Sequence, residues 1–442
     1  MPRILALFLC SGFVLFLLWL ERKQSIGVTR AFWIPTIWLL YVASRPLAAW
    51  FPMSGATPES SPLDRAFLIV LMCGALWVLS RRKFSWSTAI KDNVGLMVLV
   101  VFMIISVLWS GIPKTSFFRW IRELQAVIMA FAVLSEPLPD QAMKSILRRT
   151  TYILIPFSTL LIKYFPEYGI EYARWTGERM WVGVAQQKNS LGLLSLIAAF
   201  FLIWSLVTRS KAKEKTVWRY EVYLEIFLLL LVLWLLRGPN GSFFYSATSF
   251  YALCAGLLVY WSLNAIKKFK RTPKASTIMA TVAIIMIFGI ITLFSGGSHV
   301  SFFASAAGRT TTLTDRTEVW ASLLPIAMKK PLLGSGFGGF WTPATRAIFH
   351  ISGAHSGYLD VLLGLGFIGF ILTYIFLMAS CRKAHRMLEI NFNWGALIVC
   401  FIIMTAVHNI TESSIDSLTS FPTAIILLST ESSSKIVSYA QK

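Results

Sequence analysis

Charged residues are scarce in this sequence, and acidic ones are the scarcest. Only 14% of the 442 residues are Asp, Glu, Lys or Arg, 56% are hydrophobic, and the mean hydropathy is +0.67. A soluble chain of this length could not bury so much apolar surface. Repeated apolar runs of about 17–25 residues instead predict helices that cross a ~30 Å hydrocarbon core. Such runs are too long for barrel strands, so we predict an all-α, polytopic membrane protein.

Cysteines are few and scattered, mostly within apolar runs: Cys10, Cys73, Cys254, Cys381 and Cys400. No pair has metal-ligand spacing, which argues against a disulfide framework and a zinc site. Internal repeats and low-complexity tracts are also lacking. Nothing in the sequence indicates a separate soluble domain.

The chain has 41 Lys and Arg against 20 Asp and Glu, a net charge of +21. In a soluble protein this excess would suggest nucleic acid. Here the basic residues occupy short loops between apolar runs, where they orient spans and contact anionic lipid. We therefore expect membrane lipid, and no nucleic acid, as a partner.

Thirteen candidate spans are 4–20, 31–51, 65–80, 94–110, 118–135, 151–165, 189–208, 222–236, 247–265, 277–296, 357–380, 394–411 and 418–433. The last is weak, so twelve spans are the alternative. The first has no small-residue cleavage site after Leu20, and we interpret it as a retained span. The sequence thus divides into spans one to ten (1–296), a long loop (297–356) and the remaining spans with the tail (357–442).

Basic residues assign the two sides of the membrane. One alternating set of loops, with the tail, holds 25 Lys and Arg, and the opposite set holds 13 although its loops are longer. Because basic loops stay in the cytoplasm, the N-terminus and 297–356 are predicted outside. Within the spans, Arg45 and Lys163 are the notable charges. Lys163 lies near an interface that its side chain can reach, whereas Arg45 requires a structural or functional polar partner.

The outer segments contain candidate anion-binding residues. Asn189 and Ser190 are suited to capping a helix that begins at Leu191, and a helix N-terminus favours phosphate. Arg174 and Arg179 add positive charge nearby, although a solvated loop explains this stretch equally simply.

Arg309 and Arg316 flank a Thr-rich stretch in 297–356, before a predicted helix capped by Thr314 or Asp315. The planar guanidinium binds pairs of phosphate oxygens. The alternative is a surface ion pair of Arg316 with Glu318 or Asp315.

The long loop also contains glycines and aromatic residues, GSGFGGFW, that suit a tight turn against a sugar face. No strand precedes them, which excludes a nucleotide-binding fingerprint. His355 precedes the eleventh span, where an imidazole is able to accept a proton from a hydroxyl, or merely to cap the helix. His299, His350 and His355 lack ligand spacing, so no metal is predicted. Glu412, beyond the twelfth span, is suited to orienting a histidine or arginine.

Five motifs occur in order: QQKNSLG, GRTTTLTDRTEVW, PLLGSGFGGFW, AHSGYLDVLLGLGFIG and HNITES. Together they resemble the O-antigen ligase and polymerase superfamily over roughly Arg174 to Ser414. The stretch TLTDRTEVW looks most like the exopolysaccharide polymerases related to the succinoglycan polymerization protein.

This resemblance implies a bacterial inner-membrane glycosyltransferase that needs no metal or cofactor. Such enzymes move glycan from undecaprenyl diphosphate to an acceptor hydroxyl at the periplasmic face. The family histidine falls on His355 and the loop-helix arginine on Arg316. The arginine before the N-x-L-G motif falls on Arg179, with Arg174 as a rival. The family Asn after the histidine is Ser356 here.

Under this hypothesis Arg316, Arg179, Arg174 and Arg309 bind the diphosphate, His355 is the general base, and Asn189, Glu412 and Tyr358 support the site. The partners expected are the lipid-linked oligosaccharide, a sugar acceptor, and polysaccharide-export or chain-length-control proteins. A ligase that acts on lipid A core or protein is the alternative within the family. A transporter of lipid-linked glycan and an assembly scaffold are the alternatives from other classes.

Overall fold

The computed structural model describes residues 1–25, 27–51, 61–82, 84–172, 177–211, 219–239, 243–296, 316–351 and 353–440. Of these residues, 79% are helical. Within them, the strands are β1 (Ile170–Tyr172) and β2 (Arg179–Trp181), which pair antiparallel with Ile170 opposite Trp181. The prediction of an all-α fold is therefore confirmed.

The helices before the strands are α1 Arg3–Gln24, α2 Trp33–Ala43, α3 Leu47–Trp50, α4 Pro62–Arg81, α5 Trp86–Lys91, α6 Val94–Ser106, α7 Pro113–Leu134, α8 Pro139–Tyr164 and α9 Pro166–Gly169. Those after the strands are α10 Lys188–Lys211, α11 Arg219–Arg237, α12 Ala247–Lys268, α13 Ala275–Phe294, α14 Arg316–Ala327, α15 Pro343–Phe349, α16 Gly357–Ile390, α17 Phe392–His408 and α18 Phe421–Ala440. Three short 3-10 helices cover Arg30–Phe32, Val107–Trp109 and Phe243–Ser246.

Twelve of the thirteen predicted spans fall on a single helix, and the remaining one, 31–51, is divided between α2 and α3 by a break at 44–46. In the part of the chain that the structure describes, six helices are long and apolar enough to cross a membrane: α1, α4, α10, α12, α13 and α16. Shorter apolar helices cover Arg30–Ala43, Val94–Trp109, Phe392–His408 and Phe421–Glu431, and the other predicted spans fall on α7, α8 and α11. The protein is thus a multi-pass membrane protein, and the total of twelve or thirteen spans stays a prediction.

Several helices are longer than the apolar runs that predict them. Helix α8 begins at Pro139 rather than near 151, because its first three turns carry a buried stripe that includes Ala142, Met143 and Ile146. Helix α16 continues to Ile390, ten residues past the predicted end of its span. Polar residues at helix ends hide these extensions from a hydropathy window.

The chain forms two compact units. The first contains 1–84, 128–257 and 431–442, and the second contains 85–127 and 258–430. In the first unit, buried ion pairs join different helices. Arg149 Nε lies 2.5 Å from Glu21 Oε2, and Arg209 Nη2 lies 3.0 Å from Glu225 Oε1. These contacts tie α8 to α1 and α10 to α11.

Arg45, also in the first unit, has a structural polar partner. Its Nη2 donates to the carbonyl oxygens of Tyr168, Gly183 and Ala185 at 2.8–3.1 Å. Lys163 instead lies over the Trp234 ring, with Nζ 5.1 Å from the ring centroid. Arg45 therefore anchors the backbone on both sides of the β1–β2 hairpin, and hydrogen bonds to carbonyls account for its place within an apolar run.

The second unit contains a helix break that positions the candidate site. Helix α16 is interrupted at Gly366, whose φ of 65° is left-handed. The backbone of 331–335 bonds to the broken segment: Ser335 N–H donates to Leu363 O at 2.9 Å, and Phe367 N–H donates to Pro331 O at 2.8 Å. Backbone groups freed by the break are thereby satisfied, as an apolar environment requires. The 331–335 part of the predicted long loop is thus fixed against α16.

Candidate functional site

Arg316 is the first residue of α14. A stripe of Trp320, Leu323 and Ala327 is buried along this helix and fixes its orientation. The Arg316 guanidinium donates through Nη2 to Glu412 Oε1, with both side chains about nine-tenths buried. Arg316 therefore pairs with Glu412 and not with Glu318, the partner considered from sequence; Asp315 lies outside the described residues.

Glu412 lies in the turn after α17. Its backbone N–H donates to His408 O at 3.0 Å, which continues the helical path for one more turn. Asn409 shapes the rest of this turn, because its side-chain oxygen accepts from the N–H groups of Ser414 and Ile415, both at 2.9 Å. The start of α16 is bonded to the same turn, since Gly357 N–H reaches the carbonyls of Asn409 and Glu412.

His355 lies two residues before Gly357 and is brought to Glu412 by those bonds. Its Nδ1 is 3.6 Å from Glu412 Oε2, a separation longer than a hydrogen bond. His355 is left-handed, with φ of 52°. The peptide before it is held because Trp320 Nε1 donates to Ala354 O at 2.9 Å. Trp320 follows Arg316 by one helical turn, so α14 contributes to the placement of both Arg316 and His355.

The charge of Glu412 is maintained by its neighbours. Burial opposes ionisation of this carboxyl and is the largest single effect, but Arg316, with smaller contributions from His355 and His408, outweighs it, and the pKa of Glu412 falls to about 2. Glu412 is thus an anion at neutral pH. One carboxylate with Arg316 on one oxygen and His355 near the other fixes the orientation of both side chains.

This arrangement supports acid–base chemistry beside an anion-binding group. The Glu412 contact is made through Nδ1, which leaves Nε2 of the imidazole for proton transfer to a bound group. His355 keeps 29% of its side chain exposed, so it is reachable. A guanidinium next to it is suited to phosphate oxygens. From the sequence, Glu412 was suited to orienting a histidine or an arginine; in the structure its carboxylate contacts one of each, and the orienting role stays a prediction.

The other predicted site residues have different surroundings. Arg179 is exposed on β2 in the first unit, and Arg174 and Arg309 lie outside the described residues, as does His299. Helix α10 begins at Lys188, so Asn189 lies in its first turn and is not the cap that the sequence suggested. The apolar run from Leu191 marks where the helix becomes buried, not where its hydrogen bonds begin.

Tyr358 is buried in the second unit, and its hydroxyl donates to Ala406 O at 2.7 Å. Its ring lies against Gly289 of α13, where a Cβ would come within 2.5 Å of the ring. These contacts join α13, α16 and α17. A supporting role of Tyr358 in the site stays a prediction.

The glycine-rich turn is tight as predicted, with positive φ at Gly334, Gly336 and Gly338. However, Phe337 and Phe340 are only 6% and 7% exposed, so the expectation that the aromatic residues of this turn face a sugar is wrong for these two rings and stays a prediction for the half-buried Trp341. The turn is packed against α6 and α7: Ser106 Oγ accepts from Phe337 N–H at 2.9 Å, and Arg119 donates to Gly338 O. Composition alone cannot distinguish rings that face a ligand from rings that fill a core.

His350 is exposed at the end of α15 and has no hydrogen bond or ion pair to the other described residues. Across the described residues, no group of three or more His, Cys, Asp or Glu side chains is arranged to hold a metal ion. His408 is buried one turn before Glu412, and neither ring nitrogen has a hydrogen-bond partner within that same part of the chain.

The sequence interpretation missed Trp320 and Asp360, which hold the backbone next to His355. Asp360 is a buried carboxylate in the first turn of α16. A signal for it was present, because an acidic residue inside an apolar run requires a polar partner or a function. Trp320 has no comparable signal, since a tryptophan on an apolar stripe is ordinary in a core.

Comparisons with known proteins agree with the resemblance of the motifs. A family model described as O-antigen ligase matches residues 242–374. The chain is also 24% identical over 306 residues to an exopolysaccharide production protein, ExoQ, of Rhizobium meliloti (strain 1021). That alignment covers 65% of this chain and 65% of the relative, so the chain spans about two thirds of the relative's length. The resemblance to the O-antigen ligase and polymerase superfamily is confirmed.

The matched family region contains Arg316 and His355 but ends before Glu412. Two of the three side chains of the candidate site thus lie within the recognised domain. The third is brought to them by the turn after α17.

Proposed function

We propose, from the match to the O-antigen ligase family, that this protein is a glycosyltransferase of the bacterial envelope. It would transfer or polymerise oligosaccharide carried on undecaprenyl diphosphate, at the periplasmic face of the inner membrane. The observation that carries the proposal is the shared contact of Arg316 and His355 with Glu412. Transfer of a sugar from a diphosphate leaving group to a hydroxyl requires an anion-binding group and a proton acceptor. Here one carboxylate holds a candidate for each.

Arg316 would bind the diphosphate and stabilise the negative charge that grows on it as the glycosidic bond breaks. Preorganised positive charge of this kind is worth several kcal/mol in a site that excludes water. Glu412 keeps the guanidinium in a fixed orientation, so little reorganisation is needed on binding. This assignment gives Arg316 the charge-stabilising role and requires no metal ion.

His355 would act as general base on the attacking sugar hydroxyl. Glu412 near Nδ1 would stabilise the imidazolium that forms when Nε2 takes the proton, and general-base catalysis contributes roughly 10²–10⁴-fold. The 3.6 Å separation fits a site without substrate, since such contacts often shorten only in the reacting complex. Direct attack on the anomeric carbon would invert its configuration.

Arg179 remains a second predicted diphosphate-binding residue, and Arg174 and Arg309 are further candidates. An exposed arginine on a hairpin is available to an anion, as Arg179 is. The loops on the other side of the predicted membrane hold the surplus of Lys and Arg, which supports placing the segments of these three arginines outside the cytoplasm. Alanine variants of each arginine are tested separately in the turnover assay described below.

Exopolysaccharide polymerisation is the favoured reaction within the class, because the aligned relative is a protein of exopolysaccharide production. A polymerase uses a second lipid-linked repeat as acceptor, whereas a ligase uses lipid A core or protein. Glycan made by cells with and without the gene separates them. In cells without the gene, single repeats that accumulate on lipid indicate that the protein is a polymerase, and long chains that are not attached to an acceptor indicate that it is a ligase.

The direct test is turnover by the purified full-length protein with a lipid-diphosphate oligosaccharide. We expect product from the wild type, and at least a 100-fold loss in His355→Ala and in Arg316→Ala, in line with the loss of a general base or a charge-stabilising group. His350→Ala is the matched control, since His350 is an exposed histidine of the same segment. It should retain wild-type activity.

Two outcomes would contradict the assignment. Full activity in both variants would remove Arg316 and His355 from the reaction, and loss of activity with a chelator would give the charge-stabilising role to a metal. A transporter or scaffold would leave the glycan on its lipid unchanged. The helix break at Gly366 does not favour transport, because residues 331–335 bond to the freed backbone.

A further inference from the structure

Asp360 joins three separate segments of the second unit through one carboxylate. Its Oδ1 accepts from Trp341 Nε1 at 2.7 Å, and both oxygens lie 3.2 Å from Ala354 N. Its Oδ2 accepts from the Ser413 hydroxyl. The side chain is buried, so these donors replace the water that an ionised carboxylate would otherwise bind.

Two of these partners are the direct neighbours of site residues. Ala354 precedes His355, and Ser413 follows Glu412. Asp360 thus holds the chain immediately before the imidazole and immediately after the carboxylate that contacts it. A shift of either segment would change the 3.6 Å separation between His355 Nδ1 and Glu412 Oε2.

His355 needs such support because its backbone is left-handed, with φ of 52°. For a residue other than glycine this conformation costs about 1–2 kcal/mol and persists only where the surroundings fix it. The peptide unit at Ala354 is fixed from both sides, since Asp360 accepts its N–H and Trp320 donates to its C=O. Asp360 supplies the carboxyl group of this pair of supports.

We propose that Asp360 is a positioning residue, which acts on the reaction by holding His355 in its left-handed conformation against Glu412. The inference rests on the proposed function, because it assigns to His355 the general-base role. Asp360 itself would not touch the substrate. Its carboxylate is fully engaged by Trp341, Ala354 and Ser413.

The test compares Asp360→Ala and Asp360→Asn in the full-length purified protein. In Asp360→Ala the support is lost, and we expect kcat to fall about 100-fold, the cost of misplacing a reacting group by about 1 Å, with KM little changed. In Asp360→Asn the amide oxygen accepts the same N–H groups, so most of the activity should return. A KM increase without a kcat change would instead indicate substrate contact and would overturn the proposal.

The matched control is Asp64→Ala in the first unit. Asp64 is also buried, and it also accepts backbone N–H groups, from Leu47 and Ala48 at 2.8 and 3.0 Å. Its loss should lower the yield of folded protein but leave kcat and KM of the folded fraction unchanged. If Asp360→Ala behaves in the same way, Asp360 is only structural.

A second measurement does not depend on turnover. NMR of histidine-labelled protein, with the His355 ring signal assigned by its absence in His355→Asn, reports the surroundings of the imidazole directly. We expect this signal to move in Asp360→Ala and to stay in place in Asp64→Ala. An unmoved signal in Asp360→Ala refutes the positioning role. If the signal moves in Asp360→Ala but the wild-type protein shows no turnover, only the proposed function is refuted.

Discussion

The guanidinium of Arg316 and the carboxylate of Glu412 form a buried ion pair across 96 residues of sequence. Removal of one partner of a buried pair leaves an uncompensated charge and typically costs 3–5 kcal/mol. The pair is therefore an element of the fold as well as of the candidate site. Stability and activity need separate measurements in every variant of these two residues.

The first prediction concerns the stability of Glu412→Gln as a function of pH. In the folded protein the pKa of Glu412 is lowered from 4.5 to about 2, because Arg316, His355 and His408 together outweigh the effect of burial. A lowered carboxyl pKa contributes stability that is fully present above pH 4.5 and is lost as the pH falls toward 2. Wild type should therefore be more stable than Glu412→Gln at pH 7, with the difference decreasing between pH 4.5 and 2.

Thermal unfolding in detergent at a series of pH values measures this difference. Glu318→Gln is the control, since Glu318 is an exposed carboxylate on the same helix as Arg316. Its effect should stay within about 0.5 kcal/mol at every pH. A constant difference between wild type and Glu412→Gln from pH 7 to pH 2 would contradict the prediction.

Asp416 should show the opposite dependence. Burial and the nearby carboxylates of Asp360 and Glu123 raise the pKa of Asp416 well above its usual range. The unfolded chain then releases this proton at lower pH than the folded protein does, so stability falls as the pH rises from about 4. Asp416→Asn should be more stable than wild type at pH 8 and nearly equal to it at pH 4. Equal stability at pH 8 would show that Asp416 ionises normally.

Variants of Tyr358 distinguish a role in packing from a role in the reaction. The Tyr358→Phe change removes only the hydroxyl that donates to Ala406 O, which should lower the free energy of unfolding by about 1 kcal/mol. The Tyr358→Ala change also removes the ring from its place against Gly289 and should cost about 3–5 kcal/mol. Transfer activity per folded molecule should be unchanged in Tyr358→Phe. A large loss of kcat in that variant would instead place the hydroxyl in the reaction.

The sequence predicted the helices well because apolar runs that are too long for barrel strands can cross lipid only as α-helices. It also indicated His355, Arg316 and Glu412, whose side-chain chemistry suits the proposed reaction. It did not indicate that Glu412 would contact both of the others. That contact depends on the turn around Asn409, whose hydrogen bonds join residues that no periodic pattern connects.

The role of the glycine-rich turn also could not be predicted from the sequence. Glycines next to aromatic residues occur both in ligand-binding loops and in close backbone packing. Here Gly334 and Gly366 lie against each other's segments, and a Cβ on either would approach backbone atoms within 2.4–2.7 Å. The break in α16 at Gly366 was hidden because the surrounding residues, Leu365, Phe367 and Ile368, continue the apolar run.

That break gives the last prediction. Gly366→Ala should destabilise the protein, because φ of 65° is unfavourable for alanine and the new Cβ would lie 2.4 Å from Leu332 O. The conformational part alone is on the order of 1–3 kcal/mol. Gly364→Ala, two residues earlier, is the matched control. Its Cβ meets only Gly336 O at 4.0 Å, and replacing a helical glycine by alanine gains up to about 1 kcal/mol. The two variants should thus change the thermal unfolding temperature in opposite directions. Equal effects would mean that α16 is continuous through Gly366 and that 331–335 does not bond to it.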